Sequence, residues 1–427
     1  ASASLRGKEQ HTMDYLQNVM GYFDQQQPLC AQHDKISKDL YQEYGVKAGL
    51  RDENGKGVLA GLTNISDIRA FEYVDGVKRP AHGQLLYRGY DVKDLINGRF
   101  AFEEAGYLLL FGELPTSEKL EEFCRVLGEC RYFRAYIYLC LVTRFGDVPV
   151  LRQNTQAKVS RDPASMAWEL VEEDLDAASG FLNGLSADSF YYVSPAAVTA
   201  LKARVKLYLG KKGEAKELAE SLIANPNYAL DDFDKIFRSK ANKEVIFAFS
   251  CLTEDGSSIK ISNQFYSYNH PNKGSYNYRP AGDVMTMYAD NDLRKEVSIT
   301  TLDNLNFVNK YPSGQTGSDP VVISRLAEMY LISAEAQGLN GGLDRLNELR
   351  EKRGLDRVSP GNEADFLDAV LQERRLEFLA EGFRWYDLVR TGKATQTLGT
   401  KDYQCLMPLP SRELLYNPNL KPNNPGY

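Results

Sequence analysis

Histidine and tryptophan are scarce in this chain, 4 and 2 among 427 residues. So few histidines argue against a histidine-rich metal centre. The 6 cysteines are Cys30, Cys124, Cys130, Cys140, Cys251 and Cys405. None forms a CxxC pair or stands beside a histidine at metal-ligand spacing, so they read as buried or free thiols. An even count does not argue for disulfides in a chain of this length. A phosphate-cradling loop, a nucleophile elbow and a zinc-binding motif are all missing, and no cofactor is expected. No apolar run approaches the roughly 20 residues of a membrane-spanning helix, so no transmembrane segment is expected. The opening stretch, Ala1 to Lys8, lacks the apolar core of a signal peptide. That fits a cytosolic chain, a processed one, or one without its natural N-terminus. The net charge is −7. There is no basic excess to grip nucleic acid, and no charge block of the kind that keeps a tail disordered.

Tyrosine is abundant, at 26 residues, which suits large buried interfaces or a carbohydrate-stacking surface. The length allows two or three domains. The first part reads as mixed structure. Leu40 to Val46 has the pattern of a helix end, and Leu62 to Ile68 and Gln84 to Arg88 are short strand candidates around a turn at Asp75-Gly76. Phe102 to Leu109 form an amphipathic helix that Gly112 stops, and Thr116 caps a further helix through Leu127. Asp52 to Gly57 imitates a calcium loop, but Lys56 occupies a ligand position, and a glycine turn is the better reading.

From about Arg131 the texture changes to helix–turn–helix units. The first pairs Phe133–Phe145 with Pro163–Phe181. The second pairs Pro195–Leu209 with Glu214–Ala224, and the third Val321–Gln337 with Leu343–Arg353. Tyr138-Leu139, Tyr208-Leu209 and Tyr330-Leu331 recur in comparable places, a weak internal repeat. A long insertion, about Phe247 to Pro320, interrupts the series after a strand pattern at Glu244 to Phe249. One long helix is expected over Glu363 to Thr391, closed by Gly392. The proline- and asparagine-rich tail, Met407 to Tyr427, is expected as an extended cover that is neither helix nor central strand.

Two clusters invite chemistry. Glu373, Glu377 and Glu381 are spaced to share one helix face, among Arg374, Arg375, Arg384, Asp387 and Arg390. Paired carboxylates could hydrolyse glycosides. Arginines between the acids depress carboxylate pKa values, however, which suits a salt-bridge network and not a general acid. The second cluster interleaves flat aromatics with hydrogen-bonding side chains in an irregular loop: Tyr266, Tyr268, Asn269, Tyr276, Tyr278 and Arg279. Aromatics can support the apolar face of a sugar while Asn and Arg bond its hydroxyl rim. These are the candidate carbohydrate-binding residues; ordinary tyrosine packing on the helices is the alternative.

Two family resemblances emerge. Gly49-Leu50-Arg51, Gly61 to Ser66, Leu86 to Leu95 and Phe102 to Thr116 resemble, in order and spacing, the N-terminal part of a bacterial citrate synthase over about residues 16–131. From about residue 131 to 427 the chain resembles the SusD/RagB family of outer-membrane glycan-capturing lipoproteins. The residues that carry this are Phe133 to Tyr136 with Phe145 to Pro149, Arg325 to Leu331, Glu373 to Phe378, Glu381 to Lys393 and the ending Pro408 to Tyr427.

The two patterns meet near Glu129 to Phe133 with no linker, which reads as a chimera of two genes. The expected domains are 1–130 and 131–427. The expected fold is mainly α: a helical-hairpin (TPR-like) SusD-type fold with a long irregular insertion, preceded by an incomplete α-rich citrate-synthase-like segment. The second resemblance implies a non-catalytic, surface-exposed outer-membrane lipoprotein that binds an oligosaccharide or starch-like polysaccharide. Its implied partner is a TonB-dependent, SusC-like transporter. On that resemblance, the chain as given is expected to lack the family's anchor cysteine, signal peptide and first helical hairpin. The first resemblance implies condensation of acetyl-CoA with oxaloacetate in the cytoplasm. The catalytic histidines and aspartate belong to a later part of that enzyme, and His11, His33 and His82 match none of its motifs. No enzyme activity is therefore expected. A non-functional composite with uncovered apolar helix faces is the third reading.

Overall fold

The computed structural model describes residues 27–28, 31–33, 35–46, 62–96, 101–187, 189–238, 241–251, 261–314 and 317–427. The Gly49-Leu50-Arg51 motif, the Asp52–Gly57 turn, His11 and Cys30 lie outside them. The chain divides into two compact units, Ala1–Leu127 and Gly128–Tyr427.

The first unit combines short helices with a small antiparallel sheet. Strand β1 (Ser66–Val74) pairs with β2 (Val77–Tyr87), from Ser66↔Tyr87 to Val74↔Val77. Asp75 and Gly76 join them with φ of 54° and 76°. Two consecutive left-handed residues match the twist of the flanking strands, which is why an Asp-Gly pair marks a hairpin so strongly. The strands extend beyond the segments expected from sequence because the turn seeds pairing on both sides. Strand β3 (Tyr90–Asp91) adds to the other edge of β2. Helix α1 (Ala101–Phe111) ends at Gly112 and turns Tyr107, Leu108 and Phe111 inward. Phe123 meets the rings of Tyr107 and Phe111 edge-on, with centroids 5.6 and 6.0 Å away. The core is small, and most of the ribbon is exposed, including Ile68 at 75%.

Helix α2 (Ser117–Phe145) is continuous for 29 residues. It joins the two helices expected before and after the junction, and the division between the units falls inside it. Thr116 caps its start by accepting from the Lys119 amide at 3.3 Å.

The second unit is a stack of helical hairpins. After α2 come α3 (Ala164–Leu182), α4 (Pro195–Tyr208) and α5 (Lys212–Ile223). Gly128 lets the end of α3 come close to α2: a Cβ there would lie 2.6 Å from Leu182 Cγ. Asp174 of α3 is buried and accepts from Arg131 and Arg134 of α2 at 2.7 Å. Strand β4 (Val245–Phe249) follows, then the hairpin β5 (Ile299–Leu302) and β6 (Leu305–Val308).

Val321–Arg325, expected to begin a helix, is strand β7, antiparallel to β4 from Val245↔Arg325 to Phe249↔Val321. Val321, Val322 and Ile323 are β-branched, and a partner strand of the same character lies beside them. Helix α6 (Leu326–Gln337) then starts and turns into α7 (Leu339–Lys352). α5 packs on both α4 and α6, so one core runs through Leu170, Leu175, Leu201, Val205, Met329 and Ile332.

The long helix expected over Glu363 to Thr391 is two helices, α8 (Glu363–Glu377) and α9 (Arg384–Arg390). The corner between them places Ala380 and Gly382 at φ of 61° and 85° and packs Phe378 on Phe383, with centroids 4.6 Å apart. Glu381 thereby turns inward to two buried cations. The tail does cover other elements: Asn424 is buried and donates to the Phe145 and Met407 carbonyls. It is not wholly extended, because Ser411–Tyr416 forms a short helix immediately after Pro410, which presets the entry φ.

Candidate functional site

The six candidate residues lie on a segment that doubles back on itself. The Ser275 amide donates to the Asn263 carbonyl at 2.7 Å, Tyr276 to Tyr266 at 3.0 Å, and Tyr278 to Gln264 at 3.0 Å. Its floor is Phe307 of the β5–β6 hairpin, fully buried. Tyr266 stacks on Phe307 with centroids 6.0 Å apart, His270 lies 4.9 Å away, and Tyr276 lies 5.2 Å away.

This arrangement separates the six residues into two groups. Tyr266 is 0% exposed, and its hydroxyl donates to Asn309 Oδ1 at 2.8 Å. Burial pushes its phenol up to about 12. Its ring faces are covered by Phe307 and His270, so Tyr266 supports the loop and offers no stacking face. Tyr276 is partly buried, and its hydroxyl donates to the Asn306 carbonyl at 2.9 Å. Burial holds the imidazole of His270 below its ordinary range, and Nδ1 accepts from the Asn272 amide at 3.0 Å. In the second group, Tyr268 is 74% exposed and Tyr278 65%, and Asn269 and Arg279 are exposed as well. Lys273 approaches the Tyr268 ring at 5.9 Å. The loop therefore presents two aromatic faces, an amide and a guanidinium from a backbone tied to a packed floor. That set can take an apolar ring face and bond a hydroxyl rim.

The acid–arginine run has a different role. Glu373 and Glu377 are fully buried. Glu377 meets Arg294 and Arg353 at 2.8 Å, and Arg325 as well. Glu244 bridges Arg325 at 2.9 Å and Arg353 at 2.7 Å. Glu381 accepts from Lys310 at 2.7 Å and from Arg325 at 2.9 Å. Against the cost of burial, Arg353, Arg325 and Arg294 hold the Glu377 carboxyl well below the usual carboxylate range. A carboxylate that stays ionised cannot act as a general acid at neutral pH. The network is thus structural. Most of its cations come from β7, α7 and the insertion, while the interleaved arginines pair elsewhere: Arg374 with Asp387, Arg375 with Asp283, and Arg390 with Glu335 and Asp387.

Sequence reasoning named the acids of this hub but missed Arg294, Lys310, Arg325, Arg353 and Glu244. Arg353 closed the helix expected over Leu343–Arg353, whereas Arg325 fell inside the helix expected over Val321–Gln337. In the first unit, His33 is partly buried and His82 is exposed on β2.

Comparison with known proteins places these observations. Residues 298–405 match the SusD family, and residues 49–156 match the citrate synthase, C-terminal domain, family. A SusD-like protein of Formosa agariphila is 27% identical over 424 residues, covering 78% of this chain and 83% of that protein. The solved structure of a laminarin-binding SusD-like protein superposes with a TM-score of 0.63 at 24% identity, covering 78% of this chain and 85% of that one. A citrate synthase of Saccharolobus solfataricus is 40% identical over 73 residues, which are 17% of this chain and 18% of that enzyme. The larger part of the chain is SusD-like, with a mainly helical, TPR-like fold, and a citrate-synthase-like segment precedes it.

Proposed function

We propose that this chain, through its SusD-like part, binds a glycan without chemically altering it. The ligand is an oligosaccharide or a starch-like polysaccharide, held at the outer-membrane surface for a TonB-dependent, SusC-like transporter. The observation that carries the reading is the exposed pair Tyr268 and Tyr278, with Asn269 and Arg279, on a loop whose backbone is fixed by Tyr266, His270 and Tyr276 on Phe307. A fixed loop loses little freedom on binding, so aromatic faces there are used efficiently. A structural neighbour that is a laminarin-binding SusD-like protein supports a glycan ligand. No helix among the described residues is long and apolar enough to cross a membrane. The charged hub supports a binding role over hydrolysis, since its buried carboxylates are neutralised by arginines.

The test is a glycan array followed by calorimetry on the best binder. Tyr268→Ala and Tyr278→Ala are each expected to weaken binding about two- to tenfold with no change in melting. Tyr266→Ala is expected to lower the melting temperature first, because it removes the loop's floor contact. An array without any binder, or binding indifferent to both exposed tyrosines, would refute the assignment.

A further inference from the structure

Away from the loop, α2, α4, β7 and the α8–α9 corner enclose a cleft of about 180 Å³. Its walls carry three phenols, Tyr136, Tyr208 and Tyr386, beside the ring of Phe383. The charges around it are almost all matched. Arg204 is held by Glu328 at 2.6 and 2.7 Å and donates to the Ile323 carbonyl. Glu381 is held by Lys310 and Arg325. Arg144 differs. Its Nη1 donates to the Cys140 carbonyl at 3.2 Å, and its guanidinium lies 5.5 Å from the Tyr386 ring centre. No carboxylate among the described residues pairs with it. A partly buried guanidinium without a counter-charge, at the wall of an aromatic cleft, is a receptor for an anion.

We propose that this cleft binds a single hydroxylated ring bearing a carboxylate. The carboxylate lies on Arg144, and the ring sits among Tyr136, Tyr208 and Tyr386. The size follows from the volume, which is below the roughly 300–1,000 Å³ of pockets for drug-sized ligands. The carboxylate follows from Arg144, the cation among the described residues lining the cleft that has no carboxylate partner. The hydroxyls follow from the phenols, each able to donate and accept. This site is separate from the Tyr268–Tyr278 loop and does not depend on the reading given for that loop.

The experiment titrates the full chain with glucuronate, glucose and benzoate by calorimetry at low and high salt. Glucuronate is expected to bind best, and glucose roughly tenfold or more weakly. Arg144→Gln is expected to lower glucuronate affinity roughly ten- to hundredfold and bring it to the level of glucose, while Arg144→Lys retains part of the preference. Tyr386→Phe is expected to weaken glucuronate several-fold, and Tyr268→Ala to leave it unchanged. If Arg144→Gln does not fold, Tyr386→Phe and the salt dependence decide. Equal affinity for glucuronate and glucose in the unaltered chain would overturn the proposal, and equal affinity for benzoate would overturn the hydroxylated ring. A well-folded Arg144→Gln protein that binds glucuronate normally, or a segment of the chain itself seated on Arg144, would also sink it.

Discussion

Glu129 on α2 is buried, and burial alone pushes its carboxyl up to about 8. Its folded value lies above the unfolded one, so the folded chain holds the proton more tightly. Stability therefore falls as pH rises from about 4.5 to about 8, by at most about 1.4 kcal/mol per pH unit, and levels off above that. Glu129→Gln is expected to flatten this window and raise the melting temperature at pH 7.5, as thermal melts across pH would show. Glu377 has the opposite sign. Its folded value is depressed, so its contribution is complete above the unfolded carboxylate range and is lost as pH falls through the folded value. Glu377→Gln leaves Arg294, Arg325 and Arg353 short of a counter-charge in the interior. It is expected to cost about 3–5 kcal/mol in urea unfolding. A loss below 1 kcal/mol would mean that solvent or rearrangement neutralises those arginines.

The α8–α9 corner is the element in which sequence and structure part most instructively. Read locally, Glu363 to Thr391 is one helix, with acids at its start, an arginine at its end and a closing glycine. The break has one local signal, Gly382 at φ 85°, but Ala380 is a strong helix former held at φ 61°. The corner carries Glu381 to Arg325 and Lys310, which lie 56 and 71 residues away in sequence. Ala380→Gly is therefore expected to stabilise the protein by up to about 1 kcal/mol, by relieving a left-handed alanine. A loss of stability of the same size would show that the corner carries no strain. Elements with local signals were legible: the Asp75-Gly76 hairpin, the stop at Gly112, the Pro195 start of α4 and the hairpin helices. Val321–Arg325 was not, because a five-residue run with three β-branched members can begin a helix or pair as a strand, and only β4 decides it. In the candidate loop, composition identified the segment, but the division into floor and face depended on Phe307, which no local pattern connects to Tyr266.

At the scale of the whole molecule, the two units differ in the means they have to stay folded. The second has a continuous core through its hairpins and a buried charge hub, whereas the first has a small aromatic cluster beneath an exposed ribbon. Hydrogen exchange is expected to show amides of β1 and β2 exchanging at far lower denaturant than those of α4 and α6. Equal protection in both would contradict that ordering. The hub also carries a consequence for how the chain folds. Its members, Glu244, Arg294, Arg325, Arg353 and Glu377, are scattered across more than a hundred residues of sequence. Without Glu377, Arg325 and Arg353 share the carboxylate of Glu244, and Arg294 loses one of its acids. The hub thus closes only once Arg294 and Glu377, 83 residues apart, have met, which makes its full neutralisation a late event in folding.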